Sequence, residues 1–125
     1  MLRALGICAI VLAVSGTASG AILTFGMEIV YSGDVSPGGT SPWLTATFDD
    51  HGSAGSVTLT LTASNLVTGE FAHEWCFNLD PSMVLDSLVI EQIYKTGNFD
   101  DPEVTKDEDV YKADGDGKFD ILFDF

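Results

Sequence analysis

The side chains whose order most resembles a ligand set lie in Lys112-Ala113-Asp114-Gly115-Asp116-Gly117-Lys118-Phe119-Asp120-Ile121. Calcium loops of the D-x-D-x-D-G type draw oxygens from positions 1, 3 and 5, a carbonyl at 7 and an acid at 9, and turn sharply at a glycine in position 6. Asp114, Asp116, the Lys118 carbonyl and Asp120 fall at positions 3, 5, 7 and 9, with Gly117 at 6. Position 1 is Lys112, an ammonium that removes one ligand and adds repulsion, so an acid from the 100–109 stretch must complete any Ca²⁺ site. Phe123 stands where an EF-hand carries its last glutamate. The plainer reading is a turn, in which glycine accepts positive φ and aspartate bonds back to nearby N–H groups. The bare turn is the first reading and bound Ca²⁺ the second.

Other combinations are weaker. His73, Glu74 and Cys76 suggest a thiol enzyme, but strand alternation puts His73 and Cys76 on opposite faces, where they form no nucleophile–base pair. His51 lies in a Gly/Ser turn beside Asp49 and Asp50 and reads as a solvated residue. Glu74, Asp80 and Asp86 offer carboxylates for glycoside cleavage, yet no spacing fixes a pair among nineteen acids. The two histidines and Cys76 leave a zinc site short of ligands unless carboxylates complete it. Tyr31, Trp43, Tyr94 and Tyr111 would make a sugar-stacking platform if they faced solvent, although aromatics on alternating strands belong by default to the core.

The elements that position these residues follow from a two-residue period. Strands are expected over 22–31, 43–48, 56–63, 71–79 and 86–94, with a polar acidic connection over 96–109 and a hairpin of 110–113 with 118–125 around Asp114-Gly115-Asp116-Gly117. Trp75 and Phe77 are the expected core anchors, and Phe119, Ile121, Phe123 and Phe125 share one face. About seven strands with few or no helices fit an all-β fold, an antiparallel β-sandwich of jelly-roll or immunoglobulin-like type. Phe125 ends the sequence inside an apolar strand whose open edge invites pairing, so the chain reads as truncated at its C-terminus.

Residues 1–20 carry Arg3, an apolar stretch from Ala4 to Val14 and the small residues Ala18-Ser19-Gly20, the pattern of a secretory leader cut after Gly20. The apolar run is shorter than the ~20 residues that span a bilayer. The expected organisation is therefore a signal peptide over 1–20 and one β-sandwich domain over 21–125, with no stable membrane insertion once the leader is gone. The 125-residue chain carries a formal charge of −14, and after cleavage four lysines against nineteen acids leave −15. Such a surface repels phosphate backbones and excludes nucleic acid as a partner. Cleavage would also remove Cys8, so that Cys76 is the one cysteine of the expected mature chain and no internal disulfide can form.

Four segments in this order carry a family resemblance: Ser41-Pro42-Trp43-Leu44-Thr45-Ala46-Thr47-Phe48, Leu59-Thr60-Leu61-Thr62-Ala63-Ser64-Asn65-Leu66, Glu74-Trp75-Cys76-Phe77-Asn78-Leu79-Asp80-Pro81, and Lys112-Ala113-Asp114-Gly115-Asp116-Gly117 with Phe119-Asp120-Ile121. Together they resemble exported bacterial proteins of the PEP-CTERM sorting class. The resemblance implies export from a Gram-negative-type cell, processing at a C-terminal signal by an exosortase, and a place at the surface or in an extracellular polymer matrix. It implies no enzymatic activity and no catalytic residue. The Pro-Glu-Pro, apolar helix and basic cluster that end such proteins do not follow Phe125, which the truncated reading accounts for. The sequence thus leads to a secreted, non-enzymatic surface or matrix module. Extracellular polysaccharide or other surface proteins are its expected partners, Ca²⁺ its one candidate cofactor, and a calcium- or carbohydrate-binding domain the alternative. A glycoside hydrolase comes third.

Overall fold

A computed structural model of the chain describes residues 8–10, 20–30, 35–92, 94–113 and 115–125. Most of the expected leader, Tyr31 and Asp114 lie outside them. The described residues are all-β: β1 (Cys8–Ile10), β2 (Ile22–Met27), β3 (Leu44–Asp49), β4 (Thr58–Thr62), β5 (Glu74–Asn78), β6 (Glu103–Ala113) and β7 (Asp116–Asp124), with one 3-10 turn at Leu85–Ser87. They form two compact units, which divide between Phe71 and Ala72.

In the first unit, β2, β3 and β4 make an antiparallel meander in that order. Its register places Leu23 opposite Phe48, Phe25 opposite Ala46 and Met27 opposite Leu44, so one face collects the apolar residues. Met27, Leu44, Ala46 and Phe48 are buried, and Phe25 meets Phe48 edge-on at 5.9 Å. The opposite face holds Thr24, Thr45, Thr47, Thr58, Thr60 and Thr62, as the alternation of hydroxyl and apolar side chains demands. Trp43 is buried just before β3, where its indole N–H donates to the Gly39 carbonyl at 2.8 Å. Only glycine fits at Gly39, because a Cβ there would stand 1.7 Å from the Asn65 carbonyl oxygen. Expected strand 22–31 ends early at Met27, and Ile29 beyond it is exposed.

The second unit is a four-stranded sheet ordered β1-β5-β7-β6. β5 and β6 each pair antiparallel with β7, while the three residues of β1 run parallel to β5. Trp75 and Phe77 are buried as anticipated, joined by Cys76, Phe119 and Ile121. Phe77 also meets Phe123 edge-on at 5.7 Å. Fully burying such a side chain contributes roughly 2–3 kcal/mol, so this aromatic cluster gives the sheet its main cohesion.

Two expectations fail here. The described residues of 86–94 do not form a strand; the segment begins within the 3-10 turn and exposes Val89 and Tyr94. Both ladder edges of β7 are already taken by β5 and β6, and the segment is tied instead by Lys106 Nζ, which donates to the Leu88 carbonyl at 2.5 Å. The acidic stretch 96–109 is not a plain connection either, for β6 begins at Glu103. Pairing of Val104 with Phe123 and Lys106 with Ile121 overrides a composition that is poor for strands.

Candidate functional site

β7 carries acidic groups at both ends, and the two ends differ. At the hairpin end, β6 takes five residue steps from Lys106 to Tyr111 while β7 takes two from Ile121 to Phe119, so Asp107, Glu108, Asp109 and Val110 bulge from the ladder. Asp109 has φ +56°, a left-handed conformation that costs a non-glycine residue energy and that aspartate tolerates better than most. Asp120 holds the bulge in place. Its Oδ1 accepts the Asp109 N–H at 2.9 Å and its Oδ2 accepts the Leu79 N–H at 3.0 Å. One carboxylate thereby ties β7 to the bulge and to the chain leaving β5.

The predicted calcium ligands are distributed as follows. Asp114 lies outside the described residues. Asp116, Lys118 and Asp120 all belong to β7, where alternate residues are ~6.8 Å apart along the strand rather than wrapped into a loop. Gly115 and Gly117 take φ +85° and +74°, as the turn requires. Lys118 Nζ stands 4.0 Å from Asp109 Oδ2. Asp109, within the stretch where the sequence demanded an additional acid, is thus brought beside Asp120.

At the other end of β7, the register aligns Glu74, Asp124 and Glu103 in one rung across three strands. His73 immediately precedes β5, and its carbonyl accepts the Phe125 N–H at 2.8 Å, which fixes it against the end of β7. Its ring lies between two carboxylates, with Nδ1 3.7 Å from Glu74 Oε1 and Nε2 3.3 Å from Asp124 Oδ1. One ligand atom from each of His73, Glu74 and Asp124 lies within 4.8 Å of the others. The side chains of His73, Glu74 and Asp124 are 46%, 32% and 43% exposed, so solvent reaches the group. Sequence reading had His73 and Glu74 in view but missed Asp124, because register between strands 50 residues apart is not written in either strand. The available signal was the match of two apolar stretches, Trp75-Cys76-Phe77 and Ile121-Leu122-Phe123.

The remaining candidates have structural roles. Asp80 Oδ1 accepts from Ser82 N–H at 2.8 Å and from Ser82 Oγ at 2.6 Å, closing the turn after β5, while Asp86 lies in the 3-10 turn. His51 Nδ1 is 3.2 Å from Asp49 Oδ2, and its Nε2 is 3.0 Å from Thr58 Oγ1. Asp50 accepts N–H bonds from Gly52 and Ala21, which hold its carboxyl below the usual carboxylate range. The Lys95 ammonium bonded to Asp101 does the same for that group. Of the proposed sugar platform, Trp43 is in the core, Tyr111 is half-buried in β6 and Tyr94 is exposed. Cys76 is buried in β5.

Among the described residues no helix is long and apolar enough to cross a membrane. Comparison with protein-family models, with curated proteins and with solved structures finds no match.

Proposed function

We propose that the protein is an exported, non-enzymatic interaction module of a bacterial cell surface or extracellular matrix, which engages partner proteins by strand addition at β5. The observation that carries this reading is the unequal condition of the two edges of the β1-β5-β7-β6 sheet. On the β6 side, eleven residues carry an acidic bulge, the pattern by which sheet proteins block edge-to-edge association. On the β5 side, the neighbour is the three-residue β1, which lies within the segment whose sequence reads as a leader. Cleavage after Gly20 takes β1 away and leaves the N–H and C=O groups on that side of β5 open to another strand.

The leader pattern and the resemblance to the PEP-CTERM class support export, and a formal charge of −14 favours a soluble, spaced surface protein over a nucleic-acid binder. Expression of the full chain in a Gram-negative host, followed by fractionation and intact-mass measurement, tests export. A chain beginning at Ala21 in the extracytoplasmic fraction is expected. A cytosolic protein that retains Met1–Gly20 contradicts the proposal.

A calcium-stiffened hairpin is the second reading, favoured by the position of Asp109 beside Asp120. Thermal melts with Ca²⁺ and with chelator test it, since a bound ion stabilises by RT ln(1 + [L]/Kd). Coincident melts remove the ion.

A further inference from the structure

We propose that His73, Glu74 and Asp124 form a binding site for a zinc-type divalent cation at the open end of the β5–β7 ladder. This site is separate from the hairpin considered for Ca²⁺, and shares no residue with it.

Donor chemistry selects the ion class. An imidazole nitrogen with two carboxylates suits Zn²⁺ and its neighbours, whereas Ca²⁺ and Mg²⁺ prefer oxygen throughout. The geometry agrees. Ligands ~2.0–2.1 Å from a tetrahedral metal lie about 3.3–3.4 Å from one another. His73 Nε2 and Asp124 Oδ1 stand 3.3 Å apart, already one such edge. Glu74 supplies an oxygen inside the same 4.8 Å group and closes the remaining distance by side-chain rotation. Nε2 of His73 is then the ligating nitrogen, with Nδ1 3.7 Å from Glu74 Oε1.

Electrostatics point the same way. Like charges directly opposite one another destabilise a sheet, and Glu74, Asp124 and Glu103 occupy one rung in a strongly acidic chain. A dication compensates that row more fully than a singly charged imidazolium. Three protein ligands leave the fourth position to water or to Glu103, which shares the rung. Partial exposure of the three side chains gives the ion a path in.

The bland alternative is a simple ion pair of protonated His73 with its two carboxylate neighbours, and it binds no metal. Calorimetric titration of the chelator-treated full chain with Zn²⁺ separates the two. One equivalent is expected to bind, weakening as pH falls because the ligating nitrogen must lose its proton. His73→Gln and Asp124→Asn each lower affinity at least about tenfold, while His51→Gln leaves it unchanged. Co²⁺ substitution should give visible d–d absorption with no thiolate charge-transfer band, which excludes Cys76 as the ligand. A measurement on the unmutated chain guards against a variant that fails to fold: Zn²⁺ should protect His73, and not His51, from diethylpyrocarbonate, read by peptide mass. Absence of zinc uptake, equal uptake by His73→Gln, or an unprotected His73 overturns the proposal.

Discussion

The two edges of the β1-β5-β7-β6 sheet differ in how they are finished. β6 is long, acidic and broken by a bulge that Asp120 holds in place, while β5 is short, buried on both faces and bordered by three residues of β1. An edge strand presents unpaired backbone groups in either case. The lesson is that charge and irregularity guard the first edge permanently, and only a neighbour guards the second.

Stability depends most on the device that keeps β6 irregular. Asp120→Ala leaves the N–H groups of Asp109 and Leu79 without their acceptor and should cost about 2–3 kcal/mol in urea denaturation. Asp120→Asn keeps one carbonyl oxygen and should cost roughly half of that. A change below about 0.5 kcal/mol for the alanine variant would mean the bulge stands without Asp120.

A smaller effect concerns charge on the same edge. Replacing Asp107 and Glu108 by serine should leave stability within about 0.5 kcal/mol, since both side chains are exposed. Light scattering at high protein concentration should nevertheless show faster self-association, because the guard on β6 is weakened. Equal association rates would show that the bulge alone protects this edge.

The smallest effect is in acid. Asp101, just before β6, has its carboxyl lowered by Lys95, and Asp50 in the other unit is lowered by the Gly52 and Ala21 N–H groups. A carboxyl lowered in the folded state contributes stability above its unfolded value of about 3.9, and loses it as pH falls through the folded one. Asp101→Asn and Asp50→Asn should therefore each lower stability slightly at neutral pH and so flatten the acid limb of the stability–pH curve. An unchanged limb in both variants would contradict the assigned hydrogen bonds.

Much of this architecture was legible in the chain. Alternation located β3, β4, β5 and β7 to within a few residues, because apolar side chains recur at every second position in each. Trp75 and Phe77 announced themselves as core for the same reason. The failures have a common origin. Val104, Thr105 and Lys106 belong to a strand only because β7 lies beside them, and the described residues of 86–94 find no place beside β7, whose two sides are occupied by β5 and β6. The candidate site followed the same division: Asp114-Gly115-Asp116-Gly117 was visible as a local turn, whereas the rung of Glu74, Asp124 and Glu103 depends on register among three strands. Local composition carries the first kind of information and not the second.

The β5 edge itself can be observed directly by amide hydrogen exchange over residues 74–78, comparing the full chain with one that begins at Ala21. The amides of β5 not bonded to β7 are expected to exchange at least about tenfold faster once residues 1–20 are gone, while those bonded to β7 stay protected. Equal protection of every β5 amide in the two chains would contradict an edge that opens on leader removal, and with it the proposed mode of partner binding.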